Sequence, residues 1–204
     1  MKANKPNIIY IVLGVGLLIF LTLWVLSEKK NDAYEKFLSD GLVDQMVRIS
    51  SLPNYNLGIL QDIFESGKIS NSQADELEQG FNNLAFDIQD VSYMGNSIGR
   101  LQFSSDVVVS VNNDYSEFFL KLDFENEEIQ LTEEQIFILE KMIKLMKKYK
   151  AAVNETLKST PKEADKGLPL DFFDIYEEKG IADDYWIDLL QKYESETDVS
   201  FRLN

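Results

Sequence analysis

Between Ile8 and Leu26 every residue is apolar or glycine except Tyr10 and Thr22. As a helix this run rises about 28 Å, close to the hydrocarbon thickness of a bilayer. A helix on a globular core keeps a polar face, and this run has none over about five turns. It is longer than the roughly 7–15-residue apolar region of a secretory signal peptide, and Val25-Leu26-Ser27 is a poor small-residue cleavage site. Lipoprotein processing would need a cysteine, and the chain has none. Residues 8–26 therefore read as a retained transmembrane anchor whose partner is the lipid bilayer. Tyr10 and Trp24 lie near its ends, at the depth where aromatic rings favour the headgroup region.

Orientation is less constrained. Lys2 and Lys5 precede the run and Lys29, Lys30 and Lys36 follow it, so the lysine bias is close to balanced. A short basic head (1–7), one long apolar run and a large soluble remainder suggest a single-pass protein of the cell membrane. The expected topology has the amino end in the cytoplasm and the soluble domain extracytoplasmic. So short a cytoplasmic tail would carry no output domain, and any signal would pass through a partner.

The side chains that are missing exclude much chemistry. Without His or Cys there is no Ser-His-Asp triad, no Cys-His nucleophile, no zinc site built on those ligands and no CxxC pair. No phosphate-cradling G-x-x-x-x-G-K-[ST] loop occurs, and neither a cofactor nor a small-molecule ligand is indicated. The 20 Lys+Arg stand against 35 Asp+Glu, for a net charge of −15, which argues against nucleic acid as a partner. Every acidic residue lies after the anchor, so the soluble part is more acidic than the whole and is repelled by anionic lipid surfaces. An exported domain of this length can build a core large enough to need no disulfide.

The pattern after the anchor predicts a mainly α fold, α+β if a hairpin forms at 101–124. Tyr34, Phe37, Leu38, Leu42, Met46 and Ile49 recur at helical spacing, giving a juxtamembrane amphipathic helix over 27–53 that Pro53 should end. An acidic soluble domain (54–204) follows. Asn56–Ser66 fits a short helix with Gly67 as its left-handed cap. Ser70 and Gln73 form a capping box that opens the next helix, which should stop near Gly95. Val107, Val108, Val109 and Val111, the turn residues Asn112-Asn113-Asp114, and the alternation of Phe118, Leu120, Leu122 and Phe124 predict a β-hairpin. Ile129 and Leu131 could add a third strand. Thr132 and Gln135 cap a long helix to about Lys158. A polar loop (159–170) and two short helices, Asp171–Lys179 and Ala182–Glu194, complete the chain.

Candidate surfaces are few. Lys141, Lys144, Lys147, Lys148 and Lys150 form the one basic concentration: a docking face for an acidic partner, or the solvated back of a helix with lysines toward its carboxyl end. The acidic segment after Asp171 could lie against it. Asp183, Asp184 and Asp188 beside Tyr185 and Trp186 could bind a sugar or a hard cation. Yet Trp186, Leu189, Leu190 and Tyr193 share a helical face suited to packing. Asn112, Asp114, Ser116 and Asp123 echo a calcium loop but place Glu117 where glycine is required. No catalytic, metal or cofactor residue is singled out.

The expected function is a non-enzymatic interaction or regulatory protein, anchored in the membrane and binding a protein partner. One alternative is an anchored carboxylate-dependent hydrolase of cell-wall glycans, needing a cleft with two carboxylates. Another is a homo-oligomeric scaffold joined through the anchor and the Tyr34–Ile49 helix, although Gly14 and Gly16 lie two apart and form no GxxxG face.

Overall fold

The computed structural model describes residues 5–157, Tyr176 and residues 180–203. The expected loop at 159–170 and the helix expected at Asp171–Lys179, Tyr176 apart, lie outside the described residues. Helix α1 runs unbroken from Lys5 to Ser66. It is long and apolar enough to cross a membrane: its most apolar window has a mean hydropathy of 2.4 and is 0% buried. Residues 10–37 are exposed throughout, and the helix first meets the core at Leu38 and Ser39.

Neither Gly41 nor Pro53 ends this helix, which corrects the expected break before residue 54. Proline has no N–H, so the carbonyl four residues earlier, that of Ile49, loses its helical donor. The Tyr193 hydroxyl, fully buried, donates to that carbonyl at 2.9 Å. Packing from a distant part of the chain thus replaces the backbone bond that Pro53 removes.

At the far end Gly67 adopts φ 67°, which a Cβ disfavours, and its N–H closes the helix on the Ile63 carbonyl at 2.9 Å. The chain then forms strand β1 (Lys68–Ser70), paired antiparallel with β2 (Glu128–Gln130) with Ile69 opposite Ile129. The only expected strand position that holds is thus the Ile129 segment, and its partner is remote in sequence. Helix α2 (Asn71–Ser97) starts at the Ser70–Gln73 capping box, as the spacing predicts. It buries Leu77, Phe81, Leu84, Ile88 and Val91. Asp87, 2% exposed, receives two bonds from Arg48 at 2.6 and 2.7 Å and ties α2 to α1. That bond to Asp87 also raises the Arg48 pKa.

No hairpin forms at 101–124. Residues Asp106–Leu120 are helix α3, with Val108, Val111, Tyr115 and Phe119 buried at helical spacing. Phe81 of α2 meets the edge of the Tyr115 ring at 5.3 Å and stacks on Phe119 at 6.0 Å. Asn112, expected in a turn, is fully buried and donates to the Val108 carbonyl one turn back at 2.8 Å. The strand preference of valine is weak, and a complementary helical face overrides it. The faint calcium-loop pattern is lost with the hairpin, because Asn112 and Ser116 face the core.

Helix α4 (Glu133–Thr156) opens at the expected Thr132–Gln135 capping box and ends just short of the expected Lys158. Helix α5 (Tyr185–Glu196) packs Trp186, Leu189, Leu190 and Tyr193 inward, and a 3-10 turn (Val199–Phe201) follows. The described residues are mainly α with one two-stranded antiparallel ribbon. The bonds along the chain place α2 antiparallel to α1, and the ribbon returns α4 antiparallel to α1 as well.

The repair of Pro53 is testable by a double-mutant cycle. Tyr193→Phe should lower unfolding stability by about 1–3 kcal/mol, because the buried Ile49 carbonyl is left unpaired. In a Pro53→Ala background the cost should shrink, since residue 53 then supplies an N–H. Strictly additive costs in chemical denaturation would refute the coupling.

Candidate functional site

The basic residues lie along α4, where Lys144 and Lys147 are exposed and Lys141, Lys148 and Lys150 are half-buried. Lys141 places its ammonium 5.4 Å from the Phe137 ring centroid, while Lys144 and Lys148 sit 5.8 and 5.6 Å from that of Phe201. Lys148 also pairs with Glu196 of α5 at 2.8 Å, and Lys192 of α5 pairs with Glu155 of α4 at 3.0 Å. Part of the carboxyl-terminal segment therefore does lie against the lysine face. Asp198 belongs to the same seam. Its carboxyl is held below the usual range first by hydrogen bonds to Ser200, then by Lys148 and Lys144. Lys144 and Lys147 remain exposed, with no ion pair among the described residues.

An open groove of about 650 Å³ runs beside these two lysines. From α1 it takes Gln61, Phe64 and Glu65; from α4 it takes Glu140, Ile143, Lys144, Lys147, Lys148 and Ala151. Phe64 is 39% exposed here although its neighbour Ile63 is fully buried. Phe64 and Ile143 form an apolar floor, and the lysines form one rim. Sequence patterning did not single out Phe64, because it sits one position off the Leu57, Leu60, Ile63 stripe and looks like more core.

The three aspartates diverge. Asp183 accepts a bond from the Tyr185 N–H at 3.0 Å, and Asp184 forms an ion pair with Arg100. Asp188 is exposed in a separate cleft of about 490 Å³ shared with Glu155, Gln191 and Lys192. Among the described residues no three acidic side chains come together as a metal site would require. Tyr185 and Trp186 are buried in the core and present no ring to a sugar. Tyr10 and Trp24 are 72% and 57% exposed on α1, near the two ends of the apolar run.

A polar cluster lies inside the domain. The Tyr149 and Thr197 hydroxyls are 2.6 Å apart, Thr197 donates to the Tyr193 carbonyl, and the Tyr149 and Tyr193 rings stack at 4.1 Å. Burial drives the pKa values of Tyr149, Tyr193 and Tyr115 upward, so these phenols stay protonated; Tyr149 and Tyr193 use their hydroxyls in hydrogen bonds, while that of Tyr115 is buried without a partner. Glu194 borders the cluster. Burial, then the carboxylate of Asp106, lifts its carboxyl above the usual range. One of its oxygens is closed off from solvent without a hydrogen-bond partner.

Comparison with family models, with curated proteins and with solved structures finds no match.

The raised carboxyl of Glu194 sets the sign of a pH effect. It binds its proton more tightly folded than unfolded, so its contribution is present below the unfolded pKa and is lost as pH rises through the folded one. Glu194→Gln should therefore unfold at a higher denaturant midpoint than the parent near neutrality, and the two should converge near about pH 4. A difference that stays constant across that range would rule this out.

Proposed function

We propose that the chain is a single-pass membrane protein whose acidic helical domain stands outside the cytoplasm and binds another protein through the α1/α4 groove. One observation carries this reading. The same helix that forms the apolar run continues into the domain and supplies one wall of its groove. Counted along α1, Gln61 lies about 50 Å beyond Leu26, so the groove is well separated from the apolar run. Its apolar residues offer area to a partner, and Lys144 and Lys147 offer charges that form no ion pair among the described residues.

The absence of cysteine makes the test direct, because any introduced thiol is the only one in the chain. Asn113→Cys on the exposed side of α3 should react with an impermeant maleimide in intact cells. Labelling only after lysis would reverse the topology. Ala151→Cys, at the groove, should yield a cross-linked adduct with another protein in native membranes when coupled to a short photo-cross-linker. Phe64→Glu should reduce that adduct several-fold. An adduct indifferent to Phe64, or none, would remove the groove from consideration.

A further inference from the structure

The geometry points to an acidic peptide segment carrying large apolar side chains as the occupant of the α1/α4 groove. This inference rests on the docking reading above and narrows it to one partner chemistry. Charge is the first argument. In a chain with 35 acidic residues, Lys144 and Lys147 stand one turn apart on the groove rim with no ion pair among the described residues, while Lys148 and Lys192 are each taken by a glutamate. Screening limits the reach of the remaining acidic surface to about 8–10 Å, so a ligand seated in the groove feels these lysines first.

Shape is the second argument. From Glu140 to Ala151 the groove follows α4 for about 16 Å, which suits three turns of helix or about five extended residues. Phe64 and Ile143 lie in its floor, where burying a large apolar side chain contributes most. The arrangement of charge also orders the ligand. Glu65 and Glu140 line the groove toward the ribbon end, so ligand carboxylates are directed to the Lys144–Lys147 end. Those two glutamates and the apolar floor disfavour a polyphosphate. The distance from the apolar run disfavours lipid headgroups of the same membrane.

The test uses the full chain in detergent micelles and two sets of fluorescent twelve-residue peptides. One set has Glu alternating in helical phase with Leu and Phe, and the other has Lys at every Glu position. The Glu set should bind, weaken as salt rises, and lose at least tenfold in affinity with Lys144→Glu/Lys147→Glu. Phe64→Ala should lose affinity with little change in salt dependence. Equal binding of the Lys set, or no binding of the Glu set, would overturn the inference. If the Ala151→Cys cross-link to a protein partner persists in that case, the docking reading survives and only its acidic chemistry fails. Loss of both would remove the two together.

Discussion

The hydrogen bond from the Tyr193 hydroxyl to the Ile49 carbonyl is the contact on which the rest of the molecule depends. Pro53 sits inside the helix that carries both the apolar run and the first wall of the domain. An unpaired carbonyl at that depth would cost about as much as a poor core substitution, and water could enter to bend the helix there. Tyr193 meets the carbonyl from α5, near the end of the chain, and its ring is stacked on Tyr149 of α4. The carbonyl that Pro53 leaves without a helical donor is thus satisfied only through the packing of α5 against α1 and α4. Local chain preference and tertiary packing meet at this one atom.

Charge is arranged unevenly around that frame. The one deeply buried carboxylate among the described residues, Asp87, is matched by a bidentate guanidinium, the geometry that best offsets the loss of hydration. Pairs between α4 and α5 are more exposed and contribute only about 0–1 kcal/mol each, so they orient the carboxyl-terminal helix more than they hold it. Among the described residues, the exposed lysines without an ion pair, Lys144 and Lys147, border the groove that Phe64 lines. The buried phenols behave in the opposite way: burial keeps them neutral, and those of Tyr149 and Tyr193 form structural hydrogen bonds.

Some elements were legible because their signal is local. The capping boxes at Ser70 and Thr132 work within one turn, Gly67 needs only its own φ, and the stripe Trp186, Leu189, Leu190, Tyr193 follows from helical period alone. The expected hairpin failed for the converse reason. Valines and an Asn-Asn-Asp triplet favour strand and turn only weakly, and the decisive term was the fit of Tyr115 and Phe119 against Phe81, more than thirty residues away. The ribbon joins segments about sixty residues apart, so its first strand had no local cue. Of the candidate surfaces, the lysine face was visible as a concentration of one residue type. Its division into paired and unpaired members was not, because the division depends on where Glu155 and Glu196 come to lie.

By itself the sequence determined the length and apolarity of the run from Ile8 to Leu26, the acidity of everything beyond it and the absence of His and Cys chemistry. These properties belong to the chain whatever its neighbours do. Only the tertiary structure decided that Pro53 would be spanned, that 106–120 would be helix, and that Phe64 would line a groove instead of filling the core. In each case two or more conformations are close in local free energy, and contacts from a distant segment supply the difference.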